Sequence, residues 1–239
     1  MSNRREQFGS STPSPVVRYY EWKSDEKKFG FYDKESGENK LVMPLKVAFL
    51  TTRACVRGWH DETESGIYSN EVRNTAQETL NVYSSKPNKA GNNLLATGIY
   101  KEIKGNLAGG HYEKVVYAYE FGVGVVKINL KGSGLMAYST FEKEVGKKTF
   151  DFMIEVKSAT SAKKGKVNYS TPDFTLGEAL TKEQDGEVNV AFTAVDEYFK
   201  SREKSDEVET QEVNYQSTGV SAEELAPPKR TQEADALPF

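Results

Sequence analysis

The chain has 239 residues, of which 37% are hydrophobic, and a net charge of −3. Its length suits one domain, or one with a small addition, plus tails. Its single cysteine, Cys55, excludes an internal disulfide bond, and with only two histidines, His60 and His111, we expect no metal site and no cofactor. The N-terminus has no apolar signal core and no segment is long enough to cross a bilayer, so we expect a cytoplasmic protein.

Residues 1–15 are rich in Ser, Pro, Arg and Gln, and they predict a disordered N-terminal arm. Beyond them, apolar and polar residues alternate in segments that predict strands. These segments are 45–50, 79–83, 115–121, 126–130 and 150–156, together with a hairpin between 150–160 and 167–175 whose tip is 163–166. In the strand over 150–156 we expect Phe150 to share a face with Ile154 and Val156.

Two helices and a shorter turn are predicted among the strands. Ser133 is the expected N-cap of a helix that runs to Val145, with Gly146 as its stop. A second helix is predicted over 189–200 and a turn over 99–104. The inward residues expected in these helices are Leu135, Tyr138, Phe141, Val145, Phe192, Val195 and Phe199. Many short strands with few helices favour a mainly β fold over residues 16–200, either a small barrel or a strongly bent sheet.

Residues 201–239 predict a disordered acidic tail. They contain nine acidic and four basic residues, whereas residues 1–200 have a net charge of +2. The tail ends in Asp235-Ala236-Leu237-Pro238-Phe239. This short apolar segment with a terminal carboxylate suits an apolar pocket that has an Arg or Lys beside it. We therefore expect the tip to bind partner proteins.

Basic and aromatic residues occur together in several segments of the body. A protein that binds single-stranded DNA without sequence preference needs cations for the phosphates and aromatic faces for the bases. Arg53, Arg57 and Trp59 would share one face of a strand. Trp59 could equally pack in the core, and the lysines could equally be solvated surface. The candidate DNA-binding residues are Arg53, Arg57, Trp59, Tyr68, Lys127, Lys131, Lys163, Lys164, Lys166 and Tyr169.

The chain resembles single-stranded DNA-binding proteins in two places, since its tip is similar to bacterial-type members and its body to phage-encoded members with the OB barrel. The tip is similar to the C-terminal end of bacterial-type members, although only one acid, Asp235, directly precedes the apolar segment. In the body the similar segments are 58–59, 66–72, 97–103, 130–132 and 164–174. The resemblance implies an OB-fold barrel that coats single strands in a bacterial cell or phage-infected host. It also implies a tip that recruits replication, recombination or repair proteins.

Enzymatic functions find less support in the sequence. The phosphate-binding Walker pattern is absent, and Gly122-Val123-Gly124 lacks the third glycine of a dinucleotide fingerprint. Glu155 and Lys157, with Asp151 before them, are similar to the acid-and-lysine set with which some nucleases hold Mg²⁺. Alternating charge on an exposed strand face explains the same residues. A metal-dependent nuclease, a strand-annealing recombination protein and a protein-binding adaptor remain as alternatives, and the oligomeric state stays open.

Overall fold

The computed structural model describes residues 12–206, the last four of them by their backbone only. Within this range the chain forms two compact units. The first comprises the residues up to Thr52 and those from Lys114 onward, and the second comprises Arg53–Glu113. The fold is mainly β, as predicted, with strands paired in an open mixed sheet. Two long strands, β4 (Leu45–His60) and β8 (Gly110–Glu120), carry the chain between the units.

The first unit contains most of the strands. They are β1 (Val16–Lys23), β2 (Lys28–Asp33), β3 (Glu38–Val42), β9 (Gly124–Leu130), β10 (Phe152–Lys164) and β11 (Val167–Ala179), with parts of β4 and β8. Their order is β3-β2-β1-β9-β8-β4-β10-β11. Strand β1 runs parallel to β9, whereas β8 and β9 are antiparallel, so the sheet is mixed.

The helices of the described residues are α1 (Tyr100–Ile103), α2 (Gly132–Val145) and α3 (Lys182–Asp206), with 3-10 turns at Lys104–Asn106 and Gly146–Phe150. None of these helices is long and apolar enough to span a membrane. Helix α2 buries Tyr138 and Phe141 against Phe174 of β11, at ring-centroid distances of 5.3 and 5.9 Å. These rings join a core made of Tyr20, Phe29, Leu45, Val47, Val116, Ala118, Val126, Ile128, Leu130, Ile154 and Val156.

The second unit has its own core. Its strands are the second part of β4, then β5 (Ser65–Ser69), β6 (Leu80–Ser84) and β7 (Leu94–Gly98), paired in that order and antiparallel. Their apolar side chains pack with α1 and the turn that follows it. This core consists of Ala54, Val56, Ile67, Val72, Leu80, Val82, Ile103 and Leu107. We expected a single domain over 16–200, and the structure divides that range into two units.

Most predicted elements are confirmed. Strands occupy the ranges 45–50, 80–83, 115–120 and 126–130, and α1 lies where a turn over 99–104 was predicted. Helix α2 begins two residues earlier than expected and ends at Gly146, whose φ of 55° suits glycine. The tip of the β10–β11 hairpin turns at Gly165, which has a φ of 59°. Each of these predictions rests on a pattern that is local in the sequence.

Four local predictions were wrong. Phe150 lies in a 3-10 turn and is 54% exposed, so it does not share the core face of Ile154. Ser133 does not cap α2; its Oγ donates a hydrogen bond to the carbonyl oxygen of Ser170 at 2.9 Å. Phe192 is 43% exposed, whereas Val195 and Phe199 of the same helix are buried as predicted. Helix α3 also extends to Asp206, so the first residues of the expected tail are helical. Residues 1–11 of the predicted N-terminal arm and the tip at 235–239 lie outside the described residues.

Candidate nucleic-acid interface

One face of the second unit carries aromatic and basic side chains. Side chains alternate along a strand, so those next to core residues point the other way. Ile67 and Val82 belong to the core, which turns Tyr68 and Tyr83 to the opposite face. Gly58 pairs with Ile67, and the backbone N–H of Val56 donates to Ser69 Oγ at 2.8 Å, so the register sets Arg57 beside Tyr68. We call Arg57, Trp59, Tyr68 and Tyr83 the aromatic face.

The two tyrosines of the aromatic face are direct cross-strand partners. Their rings stack with centroids 5.7 Å apart and planes 25° apart, and both side chains are half-buried. Aromatic rings that stay partly open to solvent are what unstacked bases require for stacking. The pair therefore forms a small platform at the centre of the face.

Glycines position Trp59 next to this platform. Trp59 pairs with Gly66, so no side chain of β5 stands directly opposite the half-buried indole. A Cβ on Gly58 would lie 2.3 Å from the carbonyl oxygen of Gly109. A Cβ on Gly109, whose φ is 103°, would lie equally close to the carbonyl oxygen of Trp59. The close backbone approach that fixes Trp59 is therefore available only to glycine.

Polar side chains hold the strands beside the tyrosines in register. The backbone N–H of Asn81 donates to Asn70 Oδ1 at 2.8 Å, and Thr97 Oγ1 donates to Asn81 Oδ1 at 3.1 Å. Asn70 Nδ2 donates in turn to the carbonyl oxygen of Thr79 at 3.0 Å. This ladder crosses β5, β6 and β7, so it keeps Tyr68 and Tyr83 aligned.

Charged residues of the second unit lie at different depths. Arg57 is half-buried, and its Nε lies 4.0 Å from Oε2 of Glu113, which is 4% exposed. His111 Nε2 lies 3.2 Å from the other carboxylate oxygen of Glu113. Arg53 is only 3% exposed, so its side chain does not lie on the surface where a DNA contact was predicted. Of the two predicted arginines, Arg57 is therefore the one that reaches the aromatic face.

Lys127 of the first unit is buried, although it was predicted as a surface lysine that contacts DNA. It pairs with Tyr19 on one side and Tyr117 on the other, with Nζ 5.9 and 5.7 Å from their ring centroids, and it is 5% exposed. Phe199 of α3 packs on Tyr117 at 5.4 Å. Asn129 is also buried, since it is 8% exposed. A helix therefore packs on the strand face that the alternation alone assigned to solvent.

The other predicted lysines of the first unit are exposed. Lys163, Lys164 and Lys166 surround the tip of the β10–β11 hairpin, and Lys131 directly precedes α2. Tyr169 is half-buried and pairs with Ala162 near the base of the hairpin. It lines an open groove of about 420 Å³ between α2 and β11. These residues form a basic projection with an aromatic ring at its base.

The acid-and-lysine set proposed for a nuclease is held in ion pairs. The carboxylate of Glu155 is 6% exposed and contacts Lys157 Nζ and Lys46 Nζ, the latter at 3.3 Å. The Lys157 hydrogen bond, with that of Lys46 added, lowers the pKa of Glu155. Lys46 also reaches Glu178 at 3.1 Å. Within residues 12–206 no group of three or more His, Cys, Asp or Glu side chains is arranged to hold a metal ion.

Two residues of the candidate site were missed at the sequence level. Tyr83 was assigned to a strand but not to the site, since its proximity to Tyr68 depends on the register of β5 against β6. The burial of Glu113 could not be predicted from the sequence, because an isolated acidic residue in a strand is usually exposed to solvent. No protein-family model, curated protein or solved structure matches the chain. The function is therefore inferred from the chain's own residues.

Proposed function

We propose that the protein binds single-stranded DNA without sequence preference and coats it during replication, recombination or repair. The aromatic face carries this proposal: the stacked pair Tyr68 and Tyr83, with Trp59 and Arg57 beside it on one side of a sheet. Base–aromatic stacking contributes about 1–3 kcal/mol per base and tolerates any sequence. Arg57 supplies a cation for the phosphates. No covalent chemistry is needed for this activity.

The basic hairpin of the first unit is a second place at which we propose DNA contacts. Lys163, Lys164 and Lys166 are exposed, and lysines at such a tip neutralise phosphates without reading bases. Each phosphate that is neutralised releases counterions, so binding weakens as salt rises. Stacking on the aromatic face and charge neutralisation at the hairpin then contribute separately to affinity.

We propose that the first unit is a barrel of the OB type. What supports this is a set of hydrogen bonds between β11 and the end of β1, which lie apart in the strand order. Trp22 Nε1 donates to the carbonyl oxygen of Ser170 at 3.0 Å, and the backbone N–H of Ser170 donates to Ser24 Oγ at 2.7 Å. Side-chain and backbone groups thus join β11 to the end of β1, although these two strands are not paired with each other. An experimental structure with Ser24 and Ser170 apart would contradict the barrel.

The tail has a separate proposed role in recruiting partner proteins. Most of its acidic residues and its tip, Asp235 to Phe239, lie outside the described residues, so charge and composition support this role. Removing Leu237-Pro238-Phe239 should abolish capture of replication or repair proteins and leave oligonucleotide affinity unchanged. Deleting residues 201–239 should raise affinity at low salt if the acidic tail competes with DNA. Equal capture by intact and clipped protein would refute the recruiting role.

A titration of labelled oligo-dT with the full chain tests the DNA-binding proposal. We expect saturable binding at low salt that weakens steadily as salt is raised, with far weaker binding to duplex of equal length. Absence of binding to oligo-dT at low salt would overturn the proposal. The same samples, incubated with Mg²⁺ or Mn²⁺, should keep their length, because a nuclease shortens its substrate and a coating protein does not. A strand-annealing protein would instead speed the pairing of complementary oligonucleotides.

A further inference from the structure

Glu113 is a buried acid on the face that we propose for DNA. Tyr112, its neighbour on β8, packs against the core of the second unit. Alternation along the strand therefore turns Glu113 and His111 to the side of Arg57, as their contacts require. A carboxylate at such a position repels phosphates, and burial makes the charge costly to keep. If this face binds DNA, the carboxylate must contribute a favourable effect that is larger than its repulsion of phosphates.

The two oxygens of this carboxylate face two different basic side chains. Oε2 lies 4.0 Å from Nε of Arg57, and Oε1 lies 3.2 Å from Nε2 of His111. Glu113 is 4% exposed and so is held by its surroundings, whereas Arg57 is half-buried and reaches the surface. The geometry is that of a buried carboxylate beside a long, half-buried cation.

Ordering a long side chain before the ligand arrives lowers the cost of binding. A guanidinium on a flexible stem loses rotamer freedom when it binds a phosphate. An ion pair at Nε favours one placement of the stem, which matters because arginine binds phosphate through a planar set of donors. The register sets Arg57 beside Tyr68, so the restrained guanidinium stands next to the stacking platform.

We propose that Glu113 is a positioning residue: it orders Arg57 over the aromatic face so that a phosphate is bound beside the bases stacked on Tyr68 and Tyr83. The proposal rests on the proposed binding of single-stranded DNA. His111 Nε2 contacts the other oxygen of the same carboxylate at 3.2 Å. Glu113 thereby favours DNA binding although its own charge opposes it.

Glu113→Gln separates positioning from simple repulsion. The amide has nearly the same shape and loses the negative charge. If Glu113 positions Arg57, the variant should bind oligo-dT about 2- to 12-fold more weakly, which is the cost of ordering one long side chain. The slope of log affinity against log salt should also fall by about 0.7, because one phosphate contact is lost. Tighter or unchanged binding would overturn the proposal.

A double-mutant cycle with Arg57→Gln identifies the residue through which Glu113 acts. In the Arg57→Gln background, the added Glu113→Gln change should have no further effect on affinity or on the salt slope. An equal loss in both backgrounds would mean a general structural effect and would overturn the proposal. Glu102→Gln, which removes an exposed acid of the same unit, is the matched control and should not weaken binding.

Glu113→Asp covers the case in which Glu113→Gln does not fold. It keeps the charge but shortens the reach to Arg57, so positioning predicts weaker binding whereas repulsion predicts no change. Thermal unfolding of each variant identifies those that are folded. Failure of the intact protein to bind oligo-dT would count against the proposed function itself. Binding by the intact protein with no weakening in either Glu113 variant would count against the positioning role alone.

Discussion

Tyr68 and Tyr83 stack across neighbouring strands, with ring centroids 5.7 Å apart and planes 25° apart. They are direct partners in the β5–β6 register and point away from a core formed by Ile67 and Val82. If the two rings packed in a core, they would be fully buried, but both are only half-buried. This relationship gives the chain a stacking platform whose position is set by backbone pairing.

Removing either ring of the platform should weaken DNA binding. We expect Tyr68→Ala and Tyr83→Ala each to lower oligo-dT affinity by about 5- to 150-fold, the range that corresponds to about 1–3 kcal/mol per stacked base. Because stacking involves no charge, the salt slope should stay as in the intact protein. Tyr32→Ala removes a 38% exposed tyrosine of the first unit and serves as the control, with unchanged affinity. Anisotropy titrations at two salt concentrations measure both quantities.

The hairpin lysines should make DNA affinity more dependent on salt concentration. Changing Lys163, Lys164 and Lys166 together to Gln should lower the slope of log affinity against log salt by up to about 2, at about 0.7 per phosphate on a single strand. The exposed lysines Lys143, Lys147 and Lys148 provide a triple control of equal charge in the same unit. If both triple variants lower the slope equally, the hairpin has no special role and net charge alone governs binding.

Gly177 should be intolerant of a side chain. A Cβ at this position would lie 2.6 Å from Cδ of Glu155, whose carboxylate is held by Lys46 and Lys157. Gly177→Ala should therefore lower the free energy of unfolding by about 1–3 kcal/mol, as overpacking does. A Cβ on Gly186 in α3 would meet nothing within 4 Å, so Gly186→Ala should raise stability by about 1 kcal/mol. Urea unfolding of both variants compares the two sites, and equal stability would contradict the account of Gly177.

Acidification should remove the stabilisation that Glu155 provides. Its hydrogen bonds to Lys157 and Lys46 lower the pKa of its carboxyl in the folded protein from the ordinary value of 4.5. The contribution of Glu155 to the free energy of unfolding is therefore complete above that value, and it is lost as pH falls through the folded pKa. Glu155→Gln should be less stable than the intact protein at neutral pH, and the difference should shrink at acid pH. Parallel stability curves in urea unfolding at a series of pH values would contradict this role.

Local patterns predicted the elements well and the site only in part. The helical spacing of Tyr138 and Phe141 is local, and both residues pack in the core as expected. Whether a strand face is covered depends on distant segments: Lys127 alternates like a surface residue, but Phe199 packs on its neighbour Tyr117. Tyr83 joined the site only through strand register, which the spacing within its own strand does not determine. Sequence reasoning therefore predicted most helices and strands, but it did not predict how deeply individual side chains such as Lys127 are buried.

Tryptophan fluorescence tests the central claim most directly, because the chain has two tryptophans, Trp22 and Trp59. Trp22 belongs to the first unit, where its indole donates to Ser170 and packs on Phe29, whereas Trp59 lies on the aromatic face. Oligo-dT should quench the emission of Trp22→Phe, in which Trp59 alone emits, and should leave the emission of Trp59→Phe nearly unchanged. Quenching that follows Trp22, or binding without quenching of Trp59, would contradict the assignment of DNA binding to the aromatic face.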